Sequence, residues 1–305
     1  MAEASNFLET ERIAVVTGAN KGIGLEICKQ LASKGIVVIL TARDEKKGAG
    51  AIDMLKESGL SNNVIFHQLD VTNISSIAKV KDFIKARFDK LDILVNNAGV
   101  LGMLMDKDVI ISPEQDFFVE KLKVATQTCD LAEECMQTNY YGAKWMIQEL
   151  LPLLQLSNSP RIVNVSSMAG QLKFGIILFQ HVRNEWAIRV LSDSENLTED
   201  GVDEVWNAFL KDFKEGLLES KNWPPISSAY ILSKAALNAY TRILAKKYPN
   251  FLINCVCPGN VKTDISLNCG TLSVEEGAES PVRLALLPQG GPSGNYFIRK
   301  ELSSF

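Results

Sequence analysis

Short apolar runs alternate with longer stripes of apolar residues along most of this chain. The runs predict six buried β-strands, which lie at 13–16, 37–40, 64–69, 93–95, 162–165 and 253–256. Between them, apolar residues recur at helical spacing, as at Ile77, Val80, Phe83, Ile84 and Phe88, and again at Trp145, Met146, Leu150 and Leu151. This alternation indicates βαβ units, and therefore an α/β fold in which helices cover a parallel sheet.

Two segments interrupt this rhythm, 101–135 and 168–226. Neither is rich in Gly, Ser or Pro, so we interpret both as structured insertions, lid or pocket segments, within one domain that spans 1–305. The second contains a predicted helix with Thr198 as its N-cap and an apolar face formed by Val202, Val205, Trp206, Phe209, Leu210, Phe213 and Leu217. That face covers a ligand cleft, fills a surface otherwise open to dimerisation, or packs far from any site.

Composition and charge narrow the function classes. With 305 residues, 46% of them hydrophobic and 22% charged, the chain has an ordinary globular composition. A net charge of −4 with interspersed signs gives no basic patch for nucleic acid. The acidic first twelve residues predict no signal or transit peptide, and the longest apolar candidate, 175–179, is too short for a membrane span. We expect a cytoplasmic protein without nucleic-acid or membrane partners.

Cysteine and histidine usage argues against a metal site. The six cysteines form no CxxC pair, so we expect buried free thiols, with Cys255 and Cys257 on one side of a strand. Only two histidines occur, and His67 lies in a strand-like run where we expect a satisfied core residue. A zinc site or a His-dependent triad therefore lacks material, and we predict no metal.

A glycine-rich turn follows the first predicted strand. Residues 17–24 read Thr-Gly-Ala-Asn-Lys-Gly-Ile-Gly and lead into a helical pattern in which Ile23, Ile27 and Leu31 share a face, with Gly35 at the expected C-cap. Glycines at 18, 22 and 24 allow a sharp turn, a close approach of backbone to a pyrophosphate, and tight helix–strand packing. The first turn of such a helix favours an anion, so this segment predicts a dinucleotide cradle.

A tyrosine and a lysine stand four residues apart in a predicted helix at 227–247. Tyr230 and Lys234 therefore share a helix face. A phenol with a pKa of about 10 needs a shift of about three units, or roughly 4 kcal/mol, to exchange protons efficiently near neutrality. An ammonium group together with an oxidised nicotinamide can supply that shift.

Other motifs accompany this pair in a fixed order. They are Asn96-Asn97-Ala98-Gly99 after a strand, Asn139 opening a helix, Ser167 after a strand, and Pro258-Gly259 after another. From about residue 12 onwards the chain resembles the short-chain dehydrogenase/reductase family. Stretches at 66–71, 91–95 and 284–294 are most similar to its plant salutaridine and menthone reductase branch, which is related to monomeric carbonyl reductases. The resemblance implies a Rossmann-type, doubly wound parallel sheet of about seven strands, with the site at the C-terminal strand ends.

The resemblance also implies the catalytic roles. Tyr230 is the expected general acid, and Lys234 is expected to lower the pKa of its phenol and hold the nicotinamide ribose. Ser167 is expected to hydrogen-bond the carbonyl oxygen, with Ser166 as the alternative. Asn139 is expected to anchor a water that links Lys234 to solvent; the alternative is that it only N-caps the following helix.

Charges after the second strand favour NADPH as cofactor. Arg43, with Lys47 one turn later and Lys21 in the glycine-rich turn, can surround a 2′-phosphate, whereas Asp44 is formally able to bind the 2′-hydroxyl of NAD. By resemblance, Asp70 and Val71 flank the adenine, the segment 97–99 passes beneath the adenosine ribose, and Thr263 reaches the carboxamide. The expected cofactor-binding set is Gly18, Asn20, Lys21, Gly22, Ile23, Gly24, Arg43, Lys47, Asp70, Val71, Asn97, Ala98, Gly99, Tyr230, Lys234, Pro258, Gly259, Val261 and Thr263.

The expected activity is NADPH-dependent reduction of a hydrophobic cyclic ketone, of the terpenoid or alkaloid class, to a secondary alcohol. The segment between Ser167 and Tyr230 is unusually long for the family, and in this branch such a lobe covers the dimerisation face, so we expect a monomer. Two alternatives remain open. One is an ene-reductase, against which Tyr230 argues, because one member of the branch that reduces a carbon–carbon double bond has glutamate there. The other is an idle NADP(H)-binding protein whose pocket the apolar stretch 174–181 reshapes or blocks.

Overall fold

The computed structural model describes residues 11–60, 63–104, 124–172 and 182–305. The apolar stretch 174–181 and most of the first insertion, 105–123, lie outside the described residues, so the expectation for 174–181 stays open.

Within these ranges, the strands form one sheet in the order β3-β2-β1-β4-β5-β6-β7-β8. Their bounds are Ile13–Val16 (β1), Val37–Ala42 (β2), Val64–Gln68 (β3), Ile93–Asn96 (β4), Arg161–Val165 (β5), Leu252–Cys257 (β6), Tyr296–Ile298 (β7) and Glu301–Ser303 (β8). The first seven strands run parallel, whereas β8 pairs antiparallel with β7. All six predicted strands are present. The two strands that were not predicted, β7 and β8, are each three residues long, too short to show a periodic pattern. The left-handed backbone of Arg299 turns the chain between them.

The described helices cover both faces of the sheet. Their bounds are Gly22–Ala32 (α1), Glu45–Glu57 (α2), Ile74–Phe88 (α3), Cys129–Met136 (α4), Gly142–Leu154 (α5), Glu185–Ser192 (α6), Glu199–Lys214 (α7), Ser228–Lys247 (α8) and Val274–Ala285 (α9). None of them is long and apolar enough to cross a membrane. Polar side chains begin several of them: Asp44 accepts from the backbone N–H of Lys47 at α2, and Thr198 from that of Gly201 at α7.

Alternation along the strands divides the core into two layers. Ile13 and Val15 of β1 pack with α3, α5 and α8, while Ala14 and Val16 pack with α1, α2 and α9 on the other face. Because both faces are covered, the strands read as continuous apolar runs. This is the doubly wound Rossmann-type architecture that the sequence predicts.

The second insertion forms a helical lobe, α6 and α7, on the outside of α5 and α8. Its predicted N-cap, Thr198, is confirmed, but α7 ends at Lys214, so Leu217 lies beyond the helix. The apolar face of α7 is buried in the same cluster as α8, with Phe209 fully buried. Lys144 of α5 forms ion pairs with Glu199 and Asp203 of α7. The lobe therefore covers the outer surface of two core helices, in line with the expected monomer, which stays a prediction.

The cysteines and His67 have structural surroundings. All six cysteines are free thiols, and Cys255 and Cys257 pack together with Tyr296 as predicted, but Cys129 and Cys269 are only partly buried. His67 is half-buried at the sheet edge rather than in the core. Its Nδ1 lies 2.7 Å from the Gln68 carbonyl oxygen, and its ring packs on Phe83.

Candidate active site

The C-terminal ends of β1, β4, β5 and β6 open into one cleft. Parallel strands bring their carboxyl ends to one edge, and the strand order reverses direction there at β1 and β4. Ten of the predicted site residues line this cleft, namely Ile23, Asn97, Gly99, Ser167, Tyr230, Lys234, Pro258, Gly259, Val261 and Thr263. The sequence prediction of one site at this edge therefore agrees with the cleft.

Tyr230 and Lys234 occupy adjacent turns of α8. The Lys234 Nζ lies 5.7 Å from the centroid of the Tyr230 ring. The same Nζ donates to the carbonyl oxygen of Val165, the last residue of β5, at 2.9 Å. A helix face and a strand end thus fix the ammonium group beside the phenol.

Burial dominates the electrostatics of this pair. It raises the pKa of the Tyr230 phenol well above its usual range, and hydrogen bonding to Ser167 opposes this only in part. It lowers the pKa of Lys234 to about 8. Among the protein groups, burial outweighs Ser167, and the lowering of the phenol pKa by the ammonium together with an oxidised nicotinamide stays a prediction.

Two serines follow each other at the end of β5 with different partners. The Ser166 Oγ donates to the Asn238 Oδ1 at 2.6 Å and so ties the strand to α8. The Ser167 Oγ accepts from the backbone N–H of Ala169 at 3.2 Å, and the interaction of Ser167 with the phenol lowers the pKa of Tyr230, against the larger effect of burial. This geometry favours Ser167 over Ser166 as the serine that faces the reacting group.

Asn139 does not open a helix, so that prediction was wrong. It lies in a π-helical turn, Gln137–Tyr141, that joins α4 directly to α5. Its Oδ1 accepts from the N–H of Val100 at 2.8 Å, and its Nδ2 donates to the Val100 carbonyl and the Ser233 Oγ, each at 2.9 Å. Asn139 therefore ties the segment after β4 to α8 one residue before Lys234. Such π turns are frequent at functional sites.

The glycine-rich turn has the geometry of an anion cradle. Helix α1 begins at Gly22, Lys21 makes no side-chain cap bond there, and the first turn has no acidic residue. Its free backbone N–H groups can therefore donate hydrogen bonds to a phosphate. Gly18 has φ +62°, and a Cβ there would lie 2.8 Å from the Cα of Ala98. A Cβ on Gly24 would lie 2.7 Å from the Gly18 carbonyl oxygen.

The segment after β4 is fastened to this turn. Thr17 Oγ1 accepts from the N–H groups of Asn97 at 2.9 Å and Ala98 at 3.0 Å. In return, the Asn97 side chain donates to the carbonyl oxygens of Thr17 and Gly18. The turn and this segment thus form one rigid wall of the cleft, with the half-buried Asn20 in the turn itself.

Charged residues beyond β2 mark the predicted adenosine end. Arg43 and Lys47 are exposed there, and Asp44 is engaged in capping α2. Lys21 forms an ion pair with Asp264 instead. The Asp70 carboxylate accepts from the N–H and hydroxyl of Thr72 at 2.9 and 2.7 Å.

The predicted adenine neighbour Val71 differs from its expectation. Its side chain is buried in the core beside Gly142, so only its backbone is placed to meet a ligand.

The prediction from sequence missed several residues that also line the cleft. They are Leu101, Val165, Ser166, Ala169, Ser227, Ile231, Cys257, Asn260, Ile265 and Ser266, of which only Ser166 had been considered. Most lie within three residues of a predicted site residue in the chain, or one helical turn away. Proximity in sequence was therefore the signal that could have found them.

Comparisons with known proteins agree with this geometry. Residues 12–177 match the family model described as short chain dehydrogenase. The chain is 57% identical to short-chain dehydrogenase/reductase 1 of Saponaria officinalis, over 100% of both chains. It is 55% identical to (+)-neomenthol dehydrogenase of Arabidopsis thaliana, over 97% of this chain and 99% of the relative. The solved structure of salutaridine reductase from Papaver somniferum has a TM-score of 0.87 and 51% identity, and covers 94% of this chain and 99% of that chain.

These matches confirm the resemblance inferred from the glycine-rich turn, the Asn-Asn-Ala-Gly segment and the Tyr–Lys pair. They extend over almost the whole chain, the helical lobe included. The chain belongs to the short-chain dehydrogenase/reductase family, a family of oxidoreductases that bind a nicotinamide cofactor.

Proposed function

We propose that this protein uses NADPH to reduce a hydrophobic cyclic ketone, of the terpenoid or alkaloid class, to a secondary alcohol. The observation that carries the proposal is the meeting of Ser167, Tyr230 and Lys234 in one cleft beside the glycine-rich turn. The names of the relatives, neomenthol dehydrogenase and salutaridine reductase, support the substrate class.

The residues divide the work by chemistry. When bound, the reduced nicotinamide supplies the hydride. The Ser167 and Tyr230 hydroxyls bind the carbonyl oxygen, where negative charge develops, and Tyr230 donates the proton to it. Lys234, held by the Val165 carbonyl, binds the nicotinamide ribose and stabilises the phenolate left behind. Burial raises the pKa of the phenol and so favours its protonated form, which is the form that donates the proton in reduction.

The preference for NADPH rests on the charges beyond β2. Asp44 and Glu45 are the acids in the segment 41–47, and the Asp44 carboxylate accepts the α2 cap bond from the backbone N–H of Lys47 at 2.9 Å. Arg43 and Lys47 remain exposed, and a guanidinium matches a phosphate with paired hydrogen bonds. The same charges would leave NADH without a comparable partner.

We expect Arg43→Gln to lower kcat/KM for NADPH about 10- to 30-fold and to change kcat/KM for NADH less than about twofold, because one charge-assisted contact to the phosphate is lost. Steady-state kinetics with both cofactors measures this. Lys56→Gln is the control, since Lys56 is a cation in the last turn of α2, at the opposite end of that helix from Arg43, and pairs with Asp53. Equal losses for both cofactors in Arg43→Gln would contradict the role.

A second prediction concerns the pH dependence of NADPH binding. Burial lowers the pKa of Lys234 to about 8, so the side chain is charged below that pH and neutral above it. A neutral amine binds the ribose hydroxyls less well, and NADPH affinity should fall about threefold or more between pH 8 and pH 9.5. Fluorescence titration measures the affinity. Lys234→Met should bind NADPH more weakly at pH 7 and show no further fall in affinity at higher pH. If the affinity of this variant still falls with pH, the pH dependence belongs to another group.

A ketone panel tests the proposed activity itself. Monoterpenoid, alkaloid and steroid-like ketones are offered with NADPH, turnover is followed by loss of NADPH absorbance, and chiral analysis identifies the product. A cyclic enone in the panel separates the allylic alcohol of a carbonyl reductase from the saturated ketone of an ene-reductase. NADPH binding detected by tryptophan fluorescence, without turnover of any ketone, would instead support an idle cofactor-binding protein.

A further inference from the structure

Ser227 has an unusual backbone at the entrance to α8. Its φ of +54° and ψ of 32° lie in the left-handed region, which disfavours a residue with a Cβ. Ser227 is only 5% exposed and lines the cleft, one helical turn before Tyr230. Strained residues that the surrounding structure holds in place cluster at ligand-binding positions, so Ser227 is a candidate ligand contact.

The Ser227 hydroxyl has no strong partner in the part of the chain that the structure describes. Its one hydrogen bond there is to the thioether of Met103, with Oγ 3.9 Å from Sδ, and a thioether is a weak acceptor. It makes no cap bond to α8. Burying a hydroxyl without a good hydrogen-bond partner costs free energy, and a ligand atom that supplies such a partner is bound more favourably.

The neighbouring serine shows what a structural hydroxyl looks like at this point. The Ser228 Oγ donates to the Pro224 carbonyl at 2.7 Å, and the Ser228 N–H donates to the Gln127 Oε1 at 2.9 Å. These bonds fasten the start of α8 to the rest of the protein. The bonds that hold the start of α8 in place therefore come from Ser228 and do not require the Ser227 hydroxyl.

We propose that Ser227 determines specificity by hydrogen-bonding a second oxygen of the substrate, a hydroxyl or an ether, on the ring that carries the ketone or on the adjoining ring. The inference rests on the proposed ketone reduction, because Tyr230 must hold the carbonyl oxygen while Ser227, one turn away, meets the other. The apolar side chains of Leu101 and Ile265 line the same cleft, so a substrate without that oxygen leaves the hydroxyl poorly paired. Serine both donates and accepts, which fits a hydroxyl and a methoxy group alike.

A pair of matched ketones tests the proposal. Wild type and Ser227→Ala are assayed with NADPH on 4-hydroxycyclohexanone, 4-methoxycyclohexanone and 4-methylcyclohexanone. We expect Ser227→Ala to lower the ratio of kcat/KM for either oxygenated ketone over the methyl ketone about five- to tenfold, mainly through KM. Because the ratio is compared between the two proteins, intrinsic differences among the ketones cancel.

Two control variants separate the hydroxyl from the backbone. Ser227→Gly removes the same hydroxyl but tolerates the left-handed conformation, so it should lose the selectivity as Ser227→Ala does. Ser228→Ala should keep the wild-type ratio. If Ser227→Ala loses activity on all three ketones and Ser227→Gly restores it with the wild-type ratio, the residue acts through its backbone and the proposal is wrong.

The outcomes distinguish this inference from the function beneath it. A wild-type protein that reduces none of the three ketones, and none of the panel above, overturns the proposed function and the inference together. A wild-type protein that reduces them with a ratio that Ser227→Ala leaves unchanged overturns the role of Ser227 alone.

Discussion

Tyr230→Phe is expected to lower kcat for ketone reduction about 100-fold or more, because the phenol is the proton donor and acid catalysis contributes on that scale. NADPH affinity should change less than about twofold, since the ring remains and Lys234 keeps its bond to Val165. Stopped-flow or steady-state turnover measures the first quantity, and fluorescence titration the second. The loss should appear equally in kcat and kcat/KM, as for a contact made only in the transition state.

Tyr141→Phe is the matched control for this experiment. The Tyr141 hydroxyl donates to Asp203 at 2.9 Å, at the contact between α5 and the helical lobe, and does not reach the cleft. Its removal should leave kcat within about twofold of wild type, with at most about 1 kcal/mol of lost stability. Near-normal turnover in Tyr230→Phe would remove that residue from the role of proton donor.

The sequence predicted the parts of the fold that rest on long, regular patterns. Runs such as 13–16 and 37–40 are buried on both faces of the sheet. Because both faces are buried, such a parallel strand can be recognised in the sequence as a continuous apolar run. The strand Tyr296–Ile298 has only three residues, and its antiparallel partner is mostly exposed, so neither carries a pattern. The proximity of Tyr230 and Lys234 could be predicted because both residues lie on one helix, four positions apart.

Features that depend on tertiary surroundings could not be predicted in the same way. Asparagine is a common N-cap residue, yet the two helices around Asn139 are continuous. Its side-chain amide forms hydrogen bonds with Val100 and Ser233, which are distant in sequence. The pKa of Tyr230 depends on how deeply the cleft buries it, which no spacing reveals. The partner of Lys21, Asp264, is likewise distant in sequence.

Gly170 shows how closely the catalytic serine loop approaches the helix of the tyrosine and lysine. The short turn Met168–Gly170 follows Ser167 and rests directly on α8. A Cβ on Gly170 would lie 2.6 Å from the carbonyl carbon of Lys234 and 2.9 Å from the nitrogen of Ala235. Both are backbone atoms of a buried helix, so neither can move aside as a flexible side chain would. The distance between Ser167 and the Tyr230–Lys234 face therefore depends on the absence of a side chain at this position.

Gly170→Ala is therefore expected to push the Ser167 loop and α8 apart. Overpacking of this kind costs about 1–3 kcal/mol of unfolding free energy, and a displacement of about 1 Å at reacting groups costs about 100-fold in kcat. Urea unfolding and ketone turnover measure the two effects. Gly50→Ala is the control: Gly50 is exposed on α2 with no atom within 4 Å of its Cβ position, so alanine should leave kcat unchanged and add about 0.5–1 kcal/mol of stability. If Gly170→Ala keeps wild-type kcat and stability, serine loop and helix are not held in contact, and the site geometry argued from them fails.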